Sequence, residues 1–76
     1  MIYKMNALRK EFGEQLRRLR RQANLTQEEL SSEANVSTDL ISLIERGICA
    51  PSFDTLEKIA IALKLPVKEL FNFQDS

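Results

Sequence analysis

TQEELSSEANVSTDLISLIERG, residues 26–47, is the stretch on which the fold turns. Thr26 followed three residues later by Glu29 is the pattern of a capping box, in which each side chain satisfies the other's free backbone N–H. Leu25 before that cap and Leu30 inside the helix have the spacing of a hydrophobic staple. Ser37 is a second N-cap, and Val36 with Ile41 repeats the staple spacing. Between the two helices stands Asn35, a residue type that enters the left-handed region at modest cost. Arg46-Gly47 closes the second helix, with Gly47 free to take positive φ after the last turn. Two helices of about eight to ten residues joined by a tight turn make a helix-turn-helix.

The flanking sequence supplies partners for this pair. Upstream, Asn6 is an N-cap for a helix running to about Ala23. Leu8, Phe12, Leu16, Leu19 and Ala23 recur at spacings of four, four, three and four, one face of a helix, and are expected in the core. Arg9, Lys10, Arg17, Arg18 and Arg21 lie on the other side, and Asn24 ends the helix in the left-handed region. Arg20 sits beside the apolar stripe and needs a partner, for which Glu45 is the natural candidate. Leu30, Ala34, Ile41 and Ile44 point inward, whereas Thr38, Asp39, Ser42 and Leu43 face outward. Downstream, Ser52 caps a fourth helix with Leu56, Ile59, Ala60 and Leu63 on its inner face; Ile61 falls off that stripe. Lys64 marks its end, Leu65 plugs the core, and Pro66 opens a last short helix through about Phe71. Ile2, Tyr3 and Met5 are apolar enough to pack on the domain or on a second subunit.

With 76 residues the chain holds one small domain and one core, residues 1–76. Cys49 is the single cysteine and there is no histidine, so an internal disulfide and a Cys/His metal site are excluded. That composition suits a reducing, cytoplasmic setting. No run of about 18 apolar residues is present to cross a membrane. Net charge is zero, but it is polarised. Residues 1–25 carry seven Lys/Arg against two Asp/Glu, and residues 26–76 carry four against nine. Such a domain can attract phosphate on one side without overall charge.

Beyond these patterns, the series Phe12-Gly13, Leu16-Arg17, Leu19-Arg20, Leu25-Thr26-Gln27, Glu29-Leu30, Val36-Ser37, Ile41-Ser42, Ile44-Glu45-Arg46-Gly47, Pro51-Ser52, Thr55-Leu56, Lys58-Ile59-Ala60, Ala62-Leu63 and Leu70-Phe71 resembles the Cro/repressor-type, or XRE, helix-turn-helix family. The likeness covers about residues 12–71, with the helix-turn-helix at 27–46. It implies an all-α, compact five-helix, lambda-repressor-like domain that binds double-stranded DNA, often as a dimer, in transcription regulation. By the same resemblance, Gln27 bonds a phosphate and helps orient a base-reading residue. Ser37, Thr38 and Asp39 open the recognition helix, Ser42 and Leu43 follow one turn on, Arg46 meets the backbone, and Arg20 with Glu45 is a buried ion pair. Ile48 and Ala50 stand where many members carry Lys or Arg, which shifts the phosphate grip to Arg46, Arg17 and the helix termini.

The resulting expectation is a DNA-binding regulator of repressor type, reading a palindromic operator as a homodimer through its third helix in the major groove. Leu70, Phe71 and Phe73 are the residues expected at the dimer surface. No catalytic constellation, cofactor motif or small-molecule site is apparent: there is no Gly-rich phosphate loop and no nucleophile paired with a base. The competing reading is a protein-interaction module of the same fold, such as an antitoxin acting on a protein partner.

Overall fold

The computed structural model describes residues 7–73. Asn6 and the apolar Ile2, Tyr3 and Met5 lie outside them. The elements are α1 (Ala7–Gln22), α2 (Gln27–Ala34), α3 (Thr38–Glu45), α4 (Phe53–Leu63) and a terminal 3-10 helix (Val67–Phe71). Among the described residues there is no strand. The expected fifth α-helix is therefore a 3-10 helix. Pro66 fixes the entry at φ −67°, and five residues before Asn72 leave room for little more than one turn, where 3-10 bonding is common.

The caps form as the sequence dictates. Thr26 Oγ1 accepts from Glu29 N at 3.0 Å while Glu29 Oε1 accepts from Thr26 N at 2.8 Å, a complete capping box. Ser37 and Ser52 accept from Leu40 N and Thr55 N. Asn24, Asn35 and Lys64 turn the chain at φ 61°, 56° and 59°, and Gly47 does so at φ 76°.

Leu16, Leu30, Ile41, Ile44, Ile59 and Leu70 are fully buried, one from each helix or more, and they tie five elements to a single core. Phe12, Ala34, Leu56, Ala60 and Leu63 complete it. Two positions of the α1 stripe depart from expectation: Leu8, in the first turn of α1, and Ala23, just past its last residue, are exposed. Its middle meets α3 closely. At Gly13 a methyl group would sit 2.4 Å from the Ile44 carbonyl oxygen and 2.7 Å from that of Glu45. Only a residue without a side chain lets the two backbones approach so far.

Gln15, which apolar spacing did not single out, is buried beside this stripe. Its Nε2 donates to the carbonyls of Glu69 and Asn72 at 3.0 and 3.1 Å, and its Oε1 accepts from Arg18 Nη1. It anchors the 3-10 helix to α1 where Phe12 and Phe71 also meet, ring centroids 5.1 Å apart.

Candidate nucleic-acid interface

Helix α3 is rotated so that Ile41 and Ile44 enter the core. The opposite stripe is fixed by that rotation. Asp39, Ser42, Leu43 and Arg46 follow one another at spacings of three, one and three, a single outward row. Asp39 and Arg46 are exposed, Ser42 and Leu43 half-buried. Ser37 caps the row and is exposed. Thr38 lies at its flank, half-buried, with its Oγ1 2.8 Å from Ser31 Oγ on α2. Its hydroxyl is thus held by the scaffold, a restraint that sequence spacing did not reveal.

Glu45, in the last turn of α3, joins three helices. Its carboxylate is fully buried. Oε2 accepts from Arg20 Nε at 2.6 Å, and Oε1 accepts from Arg20 Nη2 at 3.1 Å, the two-pronged geometry that favours arginine. Gln27 Nε2, at the start of α2, donates to the same Oε1 at 3.0 Å. Arg20 Nη1 also donates to the Leu25 carbonyl at 2.8 Å, so the connection between α1 and α2 is held as well. Arg17 reaches the rim of this cluster, its Nε 3.7 Å from Glu45 Oε1 and its side chain half-exposed. Such a bidentate contact contributes direction as well as energy. Among the described residues every buried side-chain nitrogen or oxygen has a partner.

The structure therefore brings Gln27 and Arg17 together on the carboxylate of Glu45, beside Arg20. Gln27, Arg17 and Arg46 carry side-chain N–H donors, and residues 37, 38, 39, 42 and 43 lie along α3 and its cap. An α-helix with such an outward row matches the width of a major groove, where base edges are accessible. Its first turn leaves free backbone N–H groups and a positive dipole end, a favourable place for phosphate.

The residues expected at a dimer surface are distributed differently. Leu70 is fully buried and belongs to the core. Phe71 is 39% exposed and Phe73 half-buried, with centroids 6.2 Å apart. Phe71 borders a shallow apolar depression with Leu8, Phe12, Pro51, Phe53 and Leu56. Phe53 is 84% exposed, and Ile61 on the same helix is 76% exposed. Cys49 is half-buried in the α3–α4 connector, as a small packing residue would be. Among the described residues no cluster of His, Cys, Asp and Glu could hold a metal ion, and no helix is long and apolar enough to cross a membrane.

The family pattern described as a helix-turn-helix domain matches residues 11–71. Control protein C.BamHI of Bacillus amyloliquefaciens is 39% identical over 69 residues, covering 90% of this chain and 85% of that protein. The HTH-type transcriptional repressor RghR of Bacillus subtilis is 45% identical over 62 residues, covering 78% of this chain but only 44% of the repressor. Among solved structures, the restriction-modification controller protein C.AhdI from Aeromonas hydrophila superposes with a TM-score of 0.81 at 33% identity, over 83% of this chain and 96% of that one.

Proposed function

The chain belongs to the helix-turn-helix family of transcription regulators, and from that premise we propose that it binds a palindromic operator as a homodimer, with α3 in the major groove. The family and the relatives are regulators, not enzymes. The observation that carries the proposal is the outward row of α3, held at a fixed rotation by the Arg20–Glu45–Gln27 cluster beneath it. In this reading Ser37, Thr38, Asp39, Ser42 and Leu43 face base edges. Gln27, Arg17 and Arg46 meet the phosphates on either side.

A domain this small makes few phosphate contacts, so two copies reading two half-sites would supply the affinity. Their α3 helices would lie about 34 Å apart, one helical turn of DNA. Phe71 and Phe73, next to exposed Phe53, provide the apolar surface for that pairing.

Selection of bound duplexes from a random library tests the proposal. Enriched sequences should be inverted repeats with half-site centres about one helical turn apart. Binding should weaken steeply with salt as phosphate counterions are released. Enrichment of asymmetric sites would remove the palindrome and the dimer; failure to enrich any duplex at low salt would favour a protein partner.

A further inference from the structure

A hydroxyl group has one proton to donate and lone pairs with which to accept. Ser31 Oγ, buried in α2, lies 2.8 Å from the Glu28 carbonyl oxygen and 2.8 Å from Thr38 Oγ1. A carbonyl oxygen cannot donate, so the Ser31 proton is used on Glu28. Were that proton turned toward Thr38, two oxygens would face each other at 2.8 Å with no proton between them, and burial denies Ser31 a water in exchange. The Thr38 proton therefore points back to Ser31. With its proton committed to Ser31, Thr38 Oγ1 has only lone pairs left to offer. Its neighbour Asp39 is an exposed carboxylate, also an acceptor. Ser37 Oγ accepts from Leu40 N as the cap, which occupies a lone pair and leaves its own proton free. No Lys, Arg, Asn or Gln lies between residues 36 and 45, so this turn has no long donor side chain.

Base edges in the major groove differ in the groups they present. Cytosine offers the N4 amino group and adenine the N6 amino group, whereas guanine offers two acceptors, N7 and O6. We propose that two side chains in the first turn of α3 form an acceptor pair, in which Thr38 Oγ1 and the Asp39 carboxylate select the amino groups of cytosine or adenine and repel the N7/O6 edge of guanine. Thr38 owes this polarity to Ser31, which makes Ser31 a positioning residue for base choice. The inference deepens the DNA-binding reading and rests on it.

The experiment starts from a duplex recovered by selection and replaces single half-site bases with analogues. Purine for adenine, or 2-pyrimidinone for cytosine, deletes the amino group; 7-deaza bases delete the N7 acceptor of a purine. Binding is measured for the wild type and for the Thr38→Val and Asp39→Asn variants. Asp39 is exposed, so Asp39→Asn keeps the test open should Thr38→Val fold poorly. At positions where these variants alter binding, deleting the amino group should weaken wild-type binding on the order of tenfold. Deleting N7 should leave it unchanged, and the amino effect should shrink in at least one variant. Loss of binding on N7 deletion with silent amino deletion overturns the acceptor pair while leaving DNA binding intact. So does an amino effect that persists undiminished in both variants. A chain that enriches no duplex overturns the DNA-binding reading and this inference with it.

Discussion

Two single residues set how α3 is held, and both make measurable predictions. At Gly13, alanine would improve helix propensity by about 1 kcal/mol. It would also drive a methyl group into two backbone carbonyls that have no freedom to rotate away. Overpacking of this kind costs about 1–3 kcal/mol. Gly13→Ala is therefore expected to lower the melting temperature, at roughly 4–8 °C per kcal/mol for a domain of this size. A rise on thermal unfolding would contradict the close approach of α1 and α3. Glu45→Ala leaves the Arg20 guanidinium buried without its carboxylate, a loss of about 3–5 kcal/mol. Replacing both partners together, Arg20→Met with Glu45→Leu, should recover most of that stability, because the uncompensated charge is gone. Equal melting temperatures for the single and double variants would show that the charge was never desolvated. The ion pair was legible in the sequence because Arg20 borders an apolar stripe. Gln15 was not, since its partners are backbone carbonyls more than fifty residues away, and nothing in local spacing encodes them.

Among the elements, the helix ends were the most legible part of the chain. Ser, Thr and Asn act through bonds within a few residues, so Thr26, Ser37, Ser52, Asn24 and Asn35 all do what their identity suggests. The core faces of α2, α3 and α4 followed from periodicity for the same local reason. Leu8 and Ala23 did not, because periodicity reports a face but not how far a packing partner extends along it. The 3-10 form of the last helix depends on its shortness and on its anchoring by Gln15. Gln15→Ala should accordingly loosen residues 67–73 while α1 to α3 stay protected, as read by amide hydrogen exchange. Uniform loss of protection would show instead that this helix is part of one cooperative unit. Helix α4 ends with Lys64 in the left-handed region, a conformation that costs a long side chain about 1 kcal/mol. Lys64→Gly should stabilise the domain by roughly 0.5 kcal/mol, after the entropy glycine adds to the unfolded chain. Asn35→Gly should gain less, since asparagine already tolerates that region. Chemical denaturation of the two variants compares them directly.

At the scale of the whole molecule, the sequence showed a polarised charge and a spare apolar surface but misplaced part of the latter. Leu70 went to the core, and Phe53 is the most exposed large hydrophobic residue among the described residues. Whether a helix-flank aromatic is buried depends on the crossing of neighbouring elements, which no local pattern specifies. If Phe53 and Phe71 form the dimer surface, Phe53→Glu should give a monomer by sedimentation at concentrations where the wild type is a dimer. Its thermal unfolding as a monomer should stay cooperative, because so little of the ring is packed within the chain. A dimer that survives this change would place the surface elsewhere. The carboxylate of Glu45 has a consequence at this scale too, one of angular tolerance. A helix about 5–6 Å in radius that turns by about 20° carries its outermost atoms sideways by roughly 2 Å. Hydrogen-bonded recognition tolerates only about 0.5 Å. The three-helix clasp on Glu45 thus acts as a rotational stop, and partial loosening of it would blur the reading of a target well before the domain unfolds.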